Sequence, residues 1–227
     1  MNDRKRLELE YARRARDPRY REWYAPTNPA NRFMEVDRDA AVQALLAKYF
    51  PLTPAMRVLD LGCGGGHELA KLSAQVAETR LCGIDLLPER VARGHAAHPQ
   101  LAFLQGDAAQ LPFASASLDL VMQFTVFTSI LDTQLRKQIA AEMLRVLKPR
   151  GAILWYDYWL NPTNPQTRGI GKREIKTLFP ECNMALRRVT LAPPLTRWLA
   201  PRSQTLCRFF NRMAFLRTHY LIIMTRH

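Results

Sequence analysis

Three carboxylates each close an apolar run, and a glycine turn follows the first. Val58-Leu59-Asp60-Leu61 leads into Gly62-Cys63-Gly64-Gly65-Gly66, Gly83-Ile84 leads into Asp85, and residues 101–105 lead into Gly106-Asp107-Ala108. Strand, tight turn and helix brings backbone N–H groups up to a ligand. Glycine permits both that close approach and a positive φ. Asp85, 25 residues after Asp60, stands where an acid accepts from the two hydroxyls of a ribose. Asp107 follows the third run, where a carboxylate can accept from the exocyclic amine of adenine. Two phosphate loops are excluded. No Gly-Lys-Ser/Thr follows the glycines, and position 67, where a dinucleotide loop has its third glycine, is His67.

The elements that must position these residues alternate. Strands are expected over 57–61, 80–85, 101–105, 118–123 and 152–156. Helices are expected over 68–76, over 134–147, and from Pro88, at a first-turn position, to 97. Lys148-Pro149-Arg150-Gly151 ends the 134–147 helix. Helices between buried strands imply crossovers and a parallel sheet. Before this unit, residues 4–16 read as a marginal helix that needs docking to persist. A Pro-rich arm follows with Tyr20, Trp23 and Tyr24, then a helix capped by Asp37 or Asp39 with Ala41, Leu45, Leu46 and Tyr49 on its apolar face. After it come a helix over 173–179, a strand over 185–191, a basic and aromatic stretch over 193–216, and a strand over 218–225. The two late strands are expected to pair as a hairpin at the sheet edge.

Length and composition set limits. The chain has 227 residues, 48% hydrophobic and 23% charged, which suits one large domain with a real core. No apolar run approaches a membrane span, and the charged N-terminus is not a secretory signal. Cys63, Cys82, Cys182 and Cys207 show neither CxxC pairing nor metal-ligand spacing and read as reduced thiols. The net charge of +13 lies entirely in residues 136–227, with 17 Lys+Arg against 4 Asp+Glu. Beyond Glu181 stand eight arginines and no acid. Such asymmetry reads either as a hydrated basic surface or as a face for an anionic partner.

Asp60-Leu61-Gly62-Cys63-Gly64, Gly83-Ile84-Asp85, Gly106-Asp107-Ala108, Leu111-Pro112-Phe113 and Leu147-Lys148-Pro149-Arg150-Gly151 resemble, in order and spacing, the motifs of class I S-adenosylmethionine-dependent methyltransferases. The resemblance, to the ubiquinone-biosynthesis type of domain, covers residues 36–160. It implies an α/β, Rossmann-like, doubly wound, three-layered fold. The sheet would be mostly parallel, of about seven strands, with the last antiparallel. Residues 1–35 would form an N-terminal arm or lid, and 36–227 the domain, carrying a basic helical insertion at 193–216. The implied cofactor is S-adenosyl-L-methionine. Asp60, Gly62, Cys63 and Gly64 would meet its methionine part, Asp85 its ribose, Leu86 the adenine face, Asp107 and Ala108 the adenine edge, and Gln123 the amino-acid portion.

The chemistry then needs in-line alignment of nucleophile, methyl carbon and sulfur, and a base if the nucleophile is a hydroxyl. Asp157, in Tyr156-Asp157-Tyr158-Trp159, is the candidate base, or a cap for the loop that follows. His219 is a second candidate, or structural; His67 belongs to the glycine-turn helix. Tyr11, Tyr20 and Tyr24 either form a lid or cover the core. Residues 161–165, Arg168-Gly169-Ile170 and 174–180 look like methyltransferases of bacterial cell-surface glycan and polysaccharide biosynthesis. That makes the expected acceptor a glycan or related small-molecule hydroxyl, phosphorylated or lipid-linked, with Arg168, Lys172 and Arg173 on its phosphates. Residues 193–216 would rest on an anionic membrane, from the cytoplasmic side, or cover the sheet edge. An RNA or DNA methyltransferase, and a non-catalytic cofactor-binding subunit, stay open as alternatives.

Overall fold

The computed structural model describes residues 3–161 and 164–226. Seven strands form one sheet in the order β3-β2-β1-β4-β5-β7-β6. They are β1 (Val58–Leu61), β2 (Leu81–Asp85), β3 (Ala102–Gln105), β4 (Leu118–Phe124), β5 (Leu147–Tyr158), β6 (Cys182–Leu191) and β7 (Arg217–Arg226). The first five pair in parallel. β7 runs antiparallel to both β5 and β6, so the expected late hairpin sits at the sheet edge. The sheet order turns about β1, with β2 on one side and β4 on the other. That switch point opens a crevice above their carboxyl ends.

Helices cover both faces: α1 (Asp3–Arg16), α2 (Pro18–Trp23), α3 (Pro29–Tyr49), α4 (His67–Ala70), α5 (Pro88–Ala97), α6 (Thr133–Val146), α7 (Lys172–Leu178), α8 (Pro193–Leu199) and α9 (Gln204–Asn211). One core layer gathers Leu59, Phe127, Ile139, Trp155 and Phe179; the other gathers Leu45, Leu46, Val58, Leu69 and Leu154. A third, small cluster of Leu191, Leu199 and Cys207 seats α8 and α9.

Local chemistry moved several expected boundaries. α3 starts at Pro29, not near Asp37, because the Asn28 side chain accepts from the N–H groups of Ala30 (3.0 Å) and Asn31 (3.1 Å) and Pro29 presets the first turn. The expected division at residue 35 therefore falls inside one helix. The Pro-rich arm holds α2, capped by Asp17. The helix expected over 68–76 is only α4, four residues long, and continues as turns. There the Ser73 hydroxyl donates to the Ala70 carbonyl at 2.7 Å, offering the backbone an alternative to the helical ladder. Pro162 and Thr163, in the expected glycan-type block, lie outside the described residues.

One buried cation ties the β4–α6 connection to the segment before α7. Arg136 has no exposed surface. Its guanidinium donates to the Ile130 carbonyl (2.7 Å), the Arg168 carbonyl (3.0 Å) and the Glu174 carboxylate (2.8 Å). Arg136→Ala leaves these acceptors short of a donor in a dry site, and should lower the unfolding free energy by about 3 kcal/mol in urea titrations.

Candidate functional site

The glycine turn is held by the strand beside it. The N–H groups of Gly62 (2.8 Å) and Cys63 (3.1 Å) both donate to the Ile84 carbonyl. Asp85 then clips the next peptide. One carboxylate oxygen accepts from the Gly64 N–H at 2.8 Å, the other from the Leu87 N–H at 3.0 Å. Gly62, Gly64 and Gly66 all adopt positive φ, at 71°, 55° and 78°. A Cβ on Gly62 would lie 2.5 Å from Val126 Cγ2. A Cβ on Gly64 would meet only Arg90 Nη1, at 3.7 Å, so this peptide faces open space.

Asp60 lies beneath the turn at 2% exposure. Among the described residues nothing donates a hydrogen bond to its carboxylate. Burial first, then the nearby charges of Glu68 and Asp85, raise its affinity for a proton well above that of an ordinary aspartate. A buried, unpartnered acid with acids beside it is a site made for a cation. The open Gly64 peptide and this acid together fit a sulfonium-bearing nucleoside with a free α-amino group. Cys63 contributes its backbone; burial pushes its thiol up, so it is not a nucleophile.

The crevice is a cavity of about 900 Å³. Leu61, Gly62, Asp85, Leu86, Asp107 and Ala108 line its floor, and Phe124, Thr125 and Val126 one wall. Thr125, at φ 58°, holds a strained turn at the end of β4. Its cover is α1. Arg4, Leu7, Tyr11, Arg14 and Ala15 face the cavity, a helical spacing that puts them on one stripe. Tyr20 and Tyr24 continue the cover.

Specific polar contacts seat α1. Asp3 accepts from the N–H groups of Leu131 (2.8 Å) and Asp132 (3.1 Å). Arg6 donates to the Ser129 carbonyl, and Arg4 pairs with Asp107. Tyr11 reaches Ser129 Oγ at 3.2 Å, and the Arg90 guanidinium lies 4.0 Å from the Tyr11 ring centre. Sequence reasoning missed Arg4, Arg14, Arg90 and Arg93 as cavity residues. The signal was present for two of them, since Glu89, Arg90 and Arg93 lie at helical spacing just beyond Asp85.

Three expected side chains are spent on architecture. Gln123 is fully buried; its Oε1 accepts from the Val126 N–H (2.9 Å), and its amide nitrogen lies 3.5 Å from the Tyr156 carbonyl. Asp157, the candidate base, does not line the cavity. Its carboxylate accepts from the Thr128 hydroxyl, the Thr128 N–H (3.1 Å) and the Tyr158 N–H (2.9 Å), which makes it the cap of the loop after β4. His219 is buried between the rings of Tyr156 and Tyr158, 4.7 and 3.7 Å away. Burial, with help from Arg38, drops its pKa to about 3, so it is neutral and structural. Arg168, Lys172 and Arg173 do not line the cavity either.

Residues 58–151 match a methyltransferase domain family. Over 115 residues the chain is 39% identical to a malonyl-[acyl-carrier protein] O-methyltransferase of Herminiimonas arsenicoxydans, covering 50% of this chain and 42% of that one. Over 128 residues it is 34% identical to a demethylmenaquinone methyltransferase of Beutenbergia cavernae, covering 56% and 49%. The chain thus matches about half the length of these curated relatives or less. In three dimensions it resembles the PH0226 protein of Pyrococcus horikoshii OT3, with a TM-score of 0.64 at 19% identity over 91% of this chain and 99% of that one. This last likeness speaks for the fold alone.

Burial raises the pKa of Asp157 to about 6 from 3.8, against the lowering effect of the hydrogen bonds from Thr128 and Tyr158. The folded carboxyl holds its proton more tightly than the unfolded one. Its contribution is therefore complete below pH about 4 and is lost as pH rises through about 6, a change of about 3 kcal/mol. Urea unfolding of the wild type and Asp157→Asn from pH 4 to 7 should show a fall that is larger in the wild type by this amount.

Proposed function

The chain belongs to the class I S-adenosylmethionine-dependent methyltransferases, and from that premise we propose that it methylates an oxygen of a small acceptor that carries an anionic group. The observation that carries this reading is the pairing of an acid-lined floor with an arginine-lined cover around one 900 Å³ cavity. That volume accepts a nucleoside-sized cofactor with room beside it for a small molecule.

S-adenosylmethionine, when bound, supplies a methyl group already activated on a sulfonium sulfur. The chain's own residues bind, orient and exclude water. Asp60 suits the α-amino group, Gly64 presents an open peptide, and the second lone pairs of Asp85 suit the ribose hydroxyls. Asp107 and Ala108 stand at the adenine edge, next to Leu86. From the cover Arg14 and Arg21 give the cavity a positive lining, while Arg90 lies 3.8 Å from the Asp85 carboxylate on the cofactor side. Tyr11, Tyr20, Tyr24 and Phe124 supply flat apolar walls.

Among the described residues no imidazole lines the cavity; its carboxylates are Asp85, Asp107 and Glu89, so a base would have to be one of these. A carboxylate acceptor needs none, being ionised at neutral pH. The relative named for O-methylation of a malonyl acceptor supports this chemistry, since a malonyl group ends in a carboxylate. The glycan hydroxyl expected from residues 161–180 shares only the anionic charge with this reading. The arginines and lysine expected on its phosphates do not line the cavity.

Calorimetry tests the cofactor half. Asp85→Ala removes both the clip on the glycine turn and a hydroxyl acceptor, and should weaken S-adenosylmethionine binding at least 30-fold, about 2 kcal/mol. Asp60 gives a second readout. Its raised proton affinity in the free protein means that a proton and a bound ammonium compete for it. Binding should tighten with rising pH and release protons to the buffer, and Asp60→Asn should abolish that release. Isotope-labelled methyl donor offered with a panel of small carboxylic acids and their neutral amides tests the acceptor half. Methylation of amides as readily as acids would sink the anionic-acceptor reading.

A further inference from the structure

The C-terminal third carries a face that the cavity does not explain. Four large apolar side chains lie outermost on α8, α9 and the turn after them: Trp198 (58% exposed), Leu206 (45%), Phe209 (52%) and Phe215 (71%). Arg202, Arg208 and Arg212 are exposed among them. No acid occurs anywhere after Glu181. An exposed apolar group is costly in water and is ordinarily hidden in the core. Here each is flanked by a cation that has no acidic neighbour in sequence.

The face is built on a rigid mount. α9 turns Cys207 and Asn211 inward while Leu206 and Phe209, one turn apart, face out. Asn211 donates to Asp37 of α3 at 2.7 Å and accepts from Arg217 at 2.6 Å. In α8 the Thr196 hydroxyl donates to the Leu191 carbonyl at 3.0 Å, and Leu199 packs into the small third core. The outward side chains are not loose ends of a poorly packed segment. They are held in place by neighbours chosen to face the other way.

We propose that α8, α9 and the following turn dock on a lipid bilayer surface bearing net negative charge. The aromatic and leucine side chains would enter the headgroup–acyl boundary, and the arginines would meet the phosphates. Charge complementarity selects this occupant: the whole +13 of the chain resides in the segment that includes this face. The same face abuts the cover of the cavity. The Arg197 guanidinium of α8 lies 4.2 Å from the ring centre of Trp23 on α2, the helix whose Tyr20 lines the cavity. Among the described residues no helix is long and apolar enough to cross a membrane.

Vesicle co-sedimentation tests the proposal. The full chain should pellet with phosphatidylcholine vesicles containing about one-third phosphatidylserine and stay in solution with phosphatidylcholine alone. Two variants should each lower the partition coefficient at least 10-fold: Phe209→Ser with Phe215→Ser, and Arg202→Gln with Arg208→Gln and Arg212→Gln. Raised salt should weaken wild-type binding. Because these side chains are exposed, both variants should melt with the wild type. Tryptophan quenching by brominated acyl chains reads the same insertion in the unaltered protein. Absence of binding and quenching with anionic vesicles overturns the proposal. So does binding that both variants retain, or tighter binding to duplex DNA or RNA than to the vesicles. The assay needs neither cofactor nor acceptor, so its outcome is separate from that of the methyl-transfer reading.

Discussion

The site depends on one carboxylate doing two jobs at the end of β2. Asp85 accepts from the Gly64 N–H and the Leu87 N–H, and so fixes the glycine turn of β1 to the start of α5. The Ile84 carbonyl, taking two N–H groups from the same turn, completes the clamp. Charged acceptors form the stronger hydrogen bonds, and in a buried position there is no water to replace them. With the turn so held, Gly64 keeps its open peptide and Asp60 stays beneath it without a partner. The free energy of leaving that acid unpaired is supplied by the fold around it, in particular by the fully buried Val58, Leu59 and Leu61 that hold β1 in the middle of the sheet.

Charge is sorted across the cavity. Asp85 and Asp107 line the floor with Asp60 buried beneath it, while Arg4, Arg14, Arg90 and Arg93, with Glu89 among them, come from the cover and the rim. A ligand with a cationic centre and an anionic neighbour finds both signs already arranged, so little reorganisation is needed on binding. The aromatic rings between the two layers lower the local dielectric and sharpen both interactions. The same logic explains why Asp157 and His219 are poor catalysts here. Each is buried and bonded or stacked into the scaffold, and neither lines the cavity.

The central sheet was readable because its strands are short apolar runs ended by acids or glycines, a pattern with few alternatives. α5 matched from Pro88 to Ala97 because proline marks one end and burial of Val91 and Gly94 marks the face. α3 was misjudged because two aspartates inside it resemble caps, while the real cap, Asn28, is followed by a proline that was read as a breaker. The site was legible in its floor, and in its cover only as an arm carrying Tyr11, Tyr20 and Tyr24. Floor residues follow each other along adjacent strands at fixed spacing. Cover residues such as Arg4 and Tyr11 reach the site through distant contacts, with Asp107, Arg90 and Ser129, that no local pattern announces. Asp157 shows the same limit: its place in the chain is near the site, but the direction of its side chain is decided by the donors of Thr128.

That cover has a consequence for the order in which the molecule can be made. Asp3 bonds to the peptide of Leu131, 128 positions further along. On the ribosome, the helix that closes the cavity therefore emerges before its seat and docks only after β4 and the turn behind it exist, several seconds later at ordinary elongation rates of about 5–20 residues per second. Until then it is a short charged helix too weak to persist alone, and the growing sheet presents an acid-lined cleft with nothing across it. Closure waits on β4, although the residues that close the cavity are joined well before it.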